Sequence, residues 1–181
     1  NIRLFIEQKM PETLRKIESR YGTYAVLGNH EYIGGHVETT IHHLEDSNIR
    51  LLRDQKVMIE NSFYIAGRDE KMRHQIEPGT NLSLSAILEG ADSSKPIILL
   101  NHQPIGLAEA EKHGVDLQLS GHTHLGQMFP IQLITHRLFE IDYGYLRKVS
   151  LQVIVSSGFG TWGPPLRIGN TPEIVQLKIR F

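Results

Sequence analysis

Apolar positions along this chain change spacing from segment to segment, and the changes predict the elements. Pro11 to Arg20 opens on proline and glutamate, closes on Arg20 and puts Leu14, Ile17 and Tyr21 on one face, which predicts a helix entered at a proline. Tyr24-Ala25-Val26-Leu27 is a short unbroken apolar run stopped by Gly28, and predicts a buried strand. Val37, Ile41 and Leu44 give a second helical face, while Lys56 to Glu60 and Phe63 to Ala66, split by Asn61-Ser62, predict a hairpin. Thr80 or Asn81 is positioned to cap a helix that uses Leu84, Ile87 and Leu88. Ile97 to Leu100 and Leu117 to Leu119 predict two more buried strands, with a short helix around Leu107 to His113 between them. After Pro130 the pattern turns to strands. Val153 to Val155 is one; the other has Val175, Leu177, Ile179 and Phe181 alternating with Gln176, Lys178 and Arg180, the mark of a strand with one face in water. No repeat or internal linker interrupts this order. It predicts one layered α/β domain over residues 1–181, helices covering sheets, with a β-rich C-terminal third.

Composition narrows the function classes. A chain of 181 residues with 40% hydrophobic and 22% charged residues and a net charge of -1 is large enough to bury a core, and is no disordered polyelectrolyte. No apolar run approaches a membrane span, and no basic excess or charge run offers an electrostatic footprint for nucleic acid. The absence of cysteine excludes thiolate metal sites and thiol catalysis, and leaves the compartment open. Ten histidines against no cysteine is the unusual count. The chain opens on Asn1 with no initiator methionine, basic n-region or cleavage signal, so it reads as a piece of something longer.

Each of the three buried-strand runs ends in a histidine-bearing turn: Gly28-Asn29-His30-Glu31, Asn101-His102-Gln103-Pro104 and Gly121-His122-Thr123-His124. The carboxyl ends of strands are where layered α/β folds bind ligands, so three such turns can converge on one site. Imidazole with amide or carboxylate oxygen suits Zn, Mn, Fe, Co or Ni, and glycine before a ligand lets the backbone turn close to the metal. His122 and His124, two residues apart, can address two neighbouring ions from one turn. Singly, a Gly-Asn pair is usually only a turn, and a histidine after a strand is more often a satisfied core residue.

The ordered set resembles the last three of the five signature blocks of the calcineurin-like metallophosphoesterases. Ser120 to Gln127, Phe129-Pro130, and Gly158 to Pro172 with its Pro165-Leu166-Arg167 further resemble a bacterial, membrane-associated subgroup that includes UDP-2,3-diacylglucosamine hydrolase-like enzymes. The resemblance covers essentially the whole chain. It implies a layered β-sandwich flanked by helices, holding two divalent ions (Mn, Fe or Zn). By the same resemblance Asn29, His102 and His122 hold one ion and His124 the other, His30 sits beside the scissile phosphate, and Glu31, where most members have Asp, orients the His30 imidazole. Two ions about 3.5 to 4 Å apart bridge a hydroxide and neutralise phosphoryl oxygens, while an imidazole stabilises the charged transition state or protonates the leaving oxygen.

The chain also departs from that family. The Asp-x-His and Gly-Asp-x-x-Asp blocks occur nowhere in it, and Asp54, Asp69, Asp92, Asp116 and Asp142 stand in other contexts. The expectation is a fragment lacking its N-terminal strands, with an open sheet edge and a poor or inactive two-metal centre. Hydrolysis of a phosphoester or pyrophosphate in a phosphorylated small molecule or glycolipid follows for the complete protein, without a nucleic-acid partner and with membrane attachment through an absent upstream segment. A metal-poor binding scaffold of the same fold is the second class. His42 and His43 read as a solvated helix face. His36, close after the Asn-His pair, is placed to line a substrate cleft, and Arg167 to contact substrate phosphate. Arg68-Asp69 has the same option, but more often such a pair is surface. Phe159 and Trp162 in a glycine-rich loop have the option of meeting an acyl or nucleotide moiety, but aromatics there more often pin the loop.

Overall fold

The computed structural model describes residues 2–180, with side chains from residue 5 onward. Its elements in chain order are α1 (Ile2–Glu7), α2 (Met10–Leu14), β1 (Thr23–Ala25), α3 (Asn29–Ile33), α4 (Val37–Glu45), β2 (Ile49–Leu51), β3 (Gln55–Ile59), β4 (Phe63–Gly67), α5 (Arg73–Ile76), α6 (Leu84–Ile87), β5 (Ile97–Leu100), α7 (Leu107–Lys112), β6 (Leu117–Ser120), a single 3-10 turn at His124–Gly126, α8 (Gln132–Leu138), β7 (Gly144–Arg147) and β8 (Gln152–Val155). The expected mixed α/β architecture is what the chain adopts, with helices flanking a sheet of several strands.

Six strands form one sheet in the order β3-β4-β5-β6-β8-β7, and β1 pairs with β2 in a second, two-stranded parallel sheet. Within the larger sheet β4, β5, β6 and β8 run parallel, while the outer strands β3 and β7 are antiparallel to their neighbours. One consequence matters for chemistry. The turns after β4, β5, β6 and β8 all emerge at the same edge. The main core lies on one face, where Leu99, Val153 and Val155 meet Leu84, Ile87, Leu107 and Ala110 of α6 and α7. Each of these large aliphatic side chains contributes about 1.5 to 3 kcal/mol by leaving water. A smaller cluster of Leu27, Tyr32 and Leu51 with Val37, Ile41 and Leu44 packs α3 and α4 on the β1–β2 pair.

The end of β4 is where the two sheets approach. A Cβ on Gly67 would lie 2.3 Å from Leu52 Cβ and 2.9 Å from Val26 Cγ1, so only glycine lets the segments following β1 and β2 come this close. That approach carries the Gly28-Asn29 turn toward the turn after β5.

Several expected elements differ. The helix expected over 11–20 ends at Leu14, because Ile17 and Tyr21 find no apolar surface and stay 50% and 41% exposed. The cap of α6 is Ser83, whose hydroxyl accepts from Ala86 N–H, rather than Thr80 or Asn81. Residues 132–138, expected to contribute to a strand-rich region, form α8; its Thr135 is buried against Asp142, while Leu133, Ile134 and Leu138 are exposed. The strand expected from Val175 is not formed over residues 175–180, and Phe181 lies outside the described residues. A strand needs a partner edge. Here Leu177 and Ile179 instead line a groove of about 500 Å³ with Ile98, Leu117 and Ile154 on the uncovered face of the large sheet.

Candidate metal centre

Three turns supply the site. Asn29 opens α3 directly after Gly28, whose N–H donates to Glu31 Oε2 at 2.9 Å and so ties the turn to the first turn of the helix. His102 is the second residue after β5, and its carbonyl accepts from Gly121 N–H at 3.0 Å, coupling it to the turn after β6. His122 and His124 both occupy the left-handed region, with φ of 70° and 50°. Such conformations cost a non-glycine residue on the order of 1 to 3 kcal/mol and are held only where surroundings over-determine them. Here Thr123 Oγ1 donates to the carbonyl of buried Asp142, and Asn170 Nδ2 donates to the carbonyls of His124 and Leu125.

His102 Nε2 lies 3.1 Å from Asn29 Oδ1, His122 Nδ1 lies 3.3 Å from Asn29 Oδ1, and the two imidazole nitrogens are 3.3 Å apart. The rings stand nearly perpendicular, at 80°. Three lone-pair donors thus converge on one point. Divalent-metal bonds of about 2.0 to 2.2 Å at octahedral or tetrahedral angles separate neighbouring ligand atoms by about 2.8 to 3.6 Å, so the triangle has the size of one ligand face. It contains two imidazoles and an amide. Among the described residues no three His, Asp or Glu side chains alone are grouped closely enough to hold an ion.

Electrostatics keep these imidazoles in the donor form. Burial, followed by the neighbouring His122, His124 and His30, holds His102 down to about 3. Burial and then His30 lower His122, and burial followed by the Arg167 guanidinium lowers His124. Because the folded state binds His102's proton less readily than the unfolded chain does, this stability is complete above about pH 6.5 and is lost as pH falls toward 3. The metal-free protein is therefore expected to lose on the order of a few kcal/mol across that window. Urea titrations at several pH values, on wild type and His102→Gln, check this, the variant showing the shallower slope.

The other expected site residues fall around this triangle. His30 and His36 are exposed and line one cleft of about 360 Å³ with Leu27, Glu31 and Leu44. The Glu31 carboxylate is engaged by Gly28, and no His30–Glu31 hydrogen bond occurs among the described residues. His124 is not hydrogen-bonded to the triangle atoms among the described residues; its Nδ1 lies 3.4 Å from Arg167 Nη2. Arg167 spends its guanidinium on the chain itself: Nη2 donates to the carbonyls of Ser157, Gly158 and Gly160, and Nη1 to Asn170 Oδ1. Its Nε is buried with no hydrogen-bond partner among the described residues. The glycine-rich loop is pinned chiefly by fully buried Gln127, which donates to the Trp162 and Pro164 carbonyls and accepts from Trp162 N–H; Phe159 is exposed.

Arg68-Asp69 is not a surface pair. Asp69 is 5% exposed and accepts from the Tyr32 hydroxyl, Arg53 Nε and Arg73 Nη1, while Arg68 pairs with Glu109. Glu70, also buried, accepts from Gln103 Nε2 at 2.6 Å. Nothing in the spacing of these residues announced the network, since its members lie on separate segments.

The model of the calcineurin-like phosphoesterases matches residues 2–126, which includes all three turns. This chain belongs to that family. An uncharacterized metallophosphoesterase of Aquifex aeolicus is 36% identical over 94% of this chain and 66% of its own length, and one of Helicobacter pylori is 36% identical over 92% and 45%. A Bos taurus relative named a transmembrane protein with metallophosphoesterase domain is 34% identical over 92% of this chain and 40% of its own length. The chain thus spans between two fifths and two thirds of these relatives. Among its described residues no helix is long and apolar enough to cross a membrane.

Proposed function

We propose that this phosphoesterase domain hydrolyses a phosphoester or pyrophosphate with two divalent ions, one held by Asn29, His102 and His122 and the other contacted by His124. The observation that carries this reading is the triangle of polar atoms with 3.1 to 3.3 Å edges, built from neutral, half-buried side chains of three separate turns. The ions, when bound, supply an activated hydroxide and neutralise phosphoryl charge. The chain's own groups do the rest. His30, in the open cleft beside the triangle, is placed to donate a proton to the leaving oxygen, and Glu31 keeps the turn bearing Asn29 and His30 in register through Gly28. His36, on the wall of the same cleft, faces the substrate's remaining part. Arg167 and Asn170 hold the His124 turn from behind, so substrate contact by Arg167 is limited to whatever the guanidinium has left after the backbone.

The triangle contains no anionic ligand, and two imidazoles with an amide balance little of a dication's charge. The carboxylates that complete the centre are therefore assigned to chain outside these 181 residues, and the same outside chain is where membrane attachment would reside, as the name of the Bos taurus relative suggests for that protein. A phosphorylated small molecule or glycolipid is the substrate class this reading favours.

The test is hydrolysis of bis(p-nitrophenyl) phosphate with added Mn²⁺, by the full-length gene product and by residues 1–181, with metal content measured by elemental analysis. Turnover and metal uptake by the full-length product, both strongly reduced in the 181-residue chain, are expected. Equal rates in the two would remove the two-ion reading and require a mechanism built on Asn29, His102, His122 and His30 alone.

A further inference from the structure

The turn after β4, Arg68–Lys71, emerges at the same sheet edge as the turns carrying His102 and His122, and it buries two adjacent carboxylates there. Asp69 receives the Tyr32 hydroxyl, and Tyr32 is three residues along α3 from Asn29. Arg53 Nε at 2.8 Å and Arg73 Nη1 at 3.2 Å flank the same carboxylate, and Asp69 N–H donates to Asp54 Oδ1 at 2.9 Å. Glu70 receives Gln103 Nε2, and Gln103 is the residue after His102. Asn81 Nδ2, donating to the Glu70 carbonyl at 3.1 Å, and Lys71 N–H, donating to Glu70 Oε1 at 3.0 Å, hold the turn itself.

We infer that Asp69 and Glu70 are positioning residues: as neighbours on one turn they clamp α3 through Tyr32 and the His102 turn through Gln103, and so set the spacing of Asn29 Oδ1 and His102 Nε2. This inference rests on the metal reading above. Asn29 belongs to the small β1–β2 layer and His102 to the large sheet, so no backbone ladder fixes one against the other. The two tethers close that gap through a single peptide unit. Energetics point the same way. Burying carboxylates is costly even when paired, and apolar packing of similar volume commonly serves stability as well, so such a network is a poor stabiliser but a specific one. It stands where two ligand-bearing turns must keep a fixed distance, and groups that orient metal ligands commonly change metal affinity 10- to 100-fold when removed.

The experiment uses the full-length gene product loaded with Co²⁺, reading its dissociation constant and visible ligand-field spectrum. Tyr32→Phe removes only a hydroxyl, Glu70→Ala removes the acceptor for Gln103, and Glu70→Gln restores an oxygen that can accept from Gln103. Tyr64→Phe is the remote comparison, since its hydroxyl accepts from Asp92 N–H at the opposite end of β4. Expected are Co²⁺ binding weakened about 10- to 100-fold with shifted bands in Tyr32→Phe and Glu70→Ala, near-native binding in Glu70→Gln, and only a lower Tm in Tyr64→Phe. Unchanged Co²⁺ affinity and spectra in both Tyr32→Phe and Glu70→Ala, or equal changes in Tyr64→Phe, overturn the clamp and leave a stabilising network. Failure of the wild type itself to take up Co²⁺ would instead overturn the metal reading, and the clamp with it.

Discussion

His102→Ala is expected to empty the centre, whereas His30→Ala is expected to keep the metal and lose the turnover. His102 supplies one corner of the triangle, and its Nε2 sits 3.1 and 3.3 Å from the other two donors. Removing it leaves an amide and one imidazole, too few to hold an ion against water. In the full-length gene product, metal content should fall first, and activity should fall with it by about 10³-fold or more, because hydroxide activation and charge neutralisation both depend on the ion. His30 lies outside the triangle in an exposed position on the cleft wall. Its loss should lower kcat by about 10² to 10⁴, the usual contribution of a positioned acid or base, with metal stoichiometry unchanged. Elemental analysis of the two purified variants beside their steady-state kinetics separates the roles. Equal metal depletion in both would make His30 a ligand.

Gly28→Ala is the second large effect, and it comes from a single methyl. A Cβ on Gly28 would lie 2.7 Å from His102 Cε1, 2.8 Å from Nε2 and 3.0 Å from Nδ1. Gly28 has φ -104° and ψ 176°, extended backbone that alanine adopts freely, so the cost is a collision and not a backbone strain. Any retreat of the imidazole lengthens its contacts, because Nε2 is also held at 3.1 Å by Asn29 Oδ1 and at 3.3 Å by His122 Nδ1. Overpacking of this kind costs about 1 to 3 kcal/mol of stability, and here it falls on a ligand, so metal affinity should drop at least about tenfold. The double variant Gly28→Ala/His102→Ala should be about as stable as His102→Ala alone, since the methyl then meets empty space. Additive losses in that cycle, measured by urea unfolding, would show that the glycine is required for another reason.

How much of this was legible in advance depended on the range over which each feature is decided. β5 and the hairpin of β3 and β4 stand where their apolar runs put them, because an unbroken Ile-Ile-Leu-Leu between turn residues has few other solutions. The turns of His102 and His122 were visible as strand ends for the same reason, whereas the strand expected over Tyr24 to Leu27 is the half-buried Thr23–Ala25, and Val26-Leu27 lead from it to the Gly28 turn. The C-terminal alternation from Val175 does not become a one-sided strand: Leu177 and Ile179 line the groove together with Lys178 and Arg180, and Val175, Leu177 and Ile179 stay exposed, because strand formation requires an edge to pair with and the described residues supply none there. α8 was hidden by the opposite circumstance. Its apolar residues Leu133, Ile134 and Leu138 point outward, and it is anchored by polar Thr135 on Asp142, an inversion of the usual amphipathic code.

The chain's sequence by itself determined the α/β class and the places of the histidine-bearing turns, because these follow from local spacing; Asn29, His102, His122 and His124 were singled out as candidate donors by the family resemblance of those turns. Tertiary structure alone decided that the first three meet within 3.3 Å while His124 takes Arg167 and Asn170 as its partners. It alone decided that Asp69 and Glu70 are buried tethers and that Gly28 is the space His102 occupies. The physical reason is that a convergence of atoms from residues 29, 102 and 122 depends on how two sheets pack at Gly67, Val26 and Leu52. Packing is set by distances across the fold, and no periodicity along the chain encodes them.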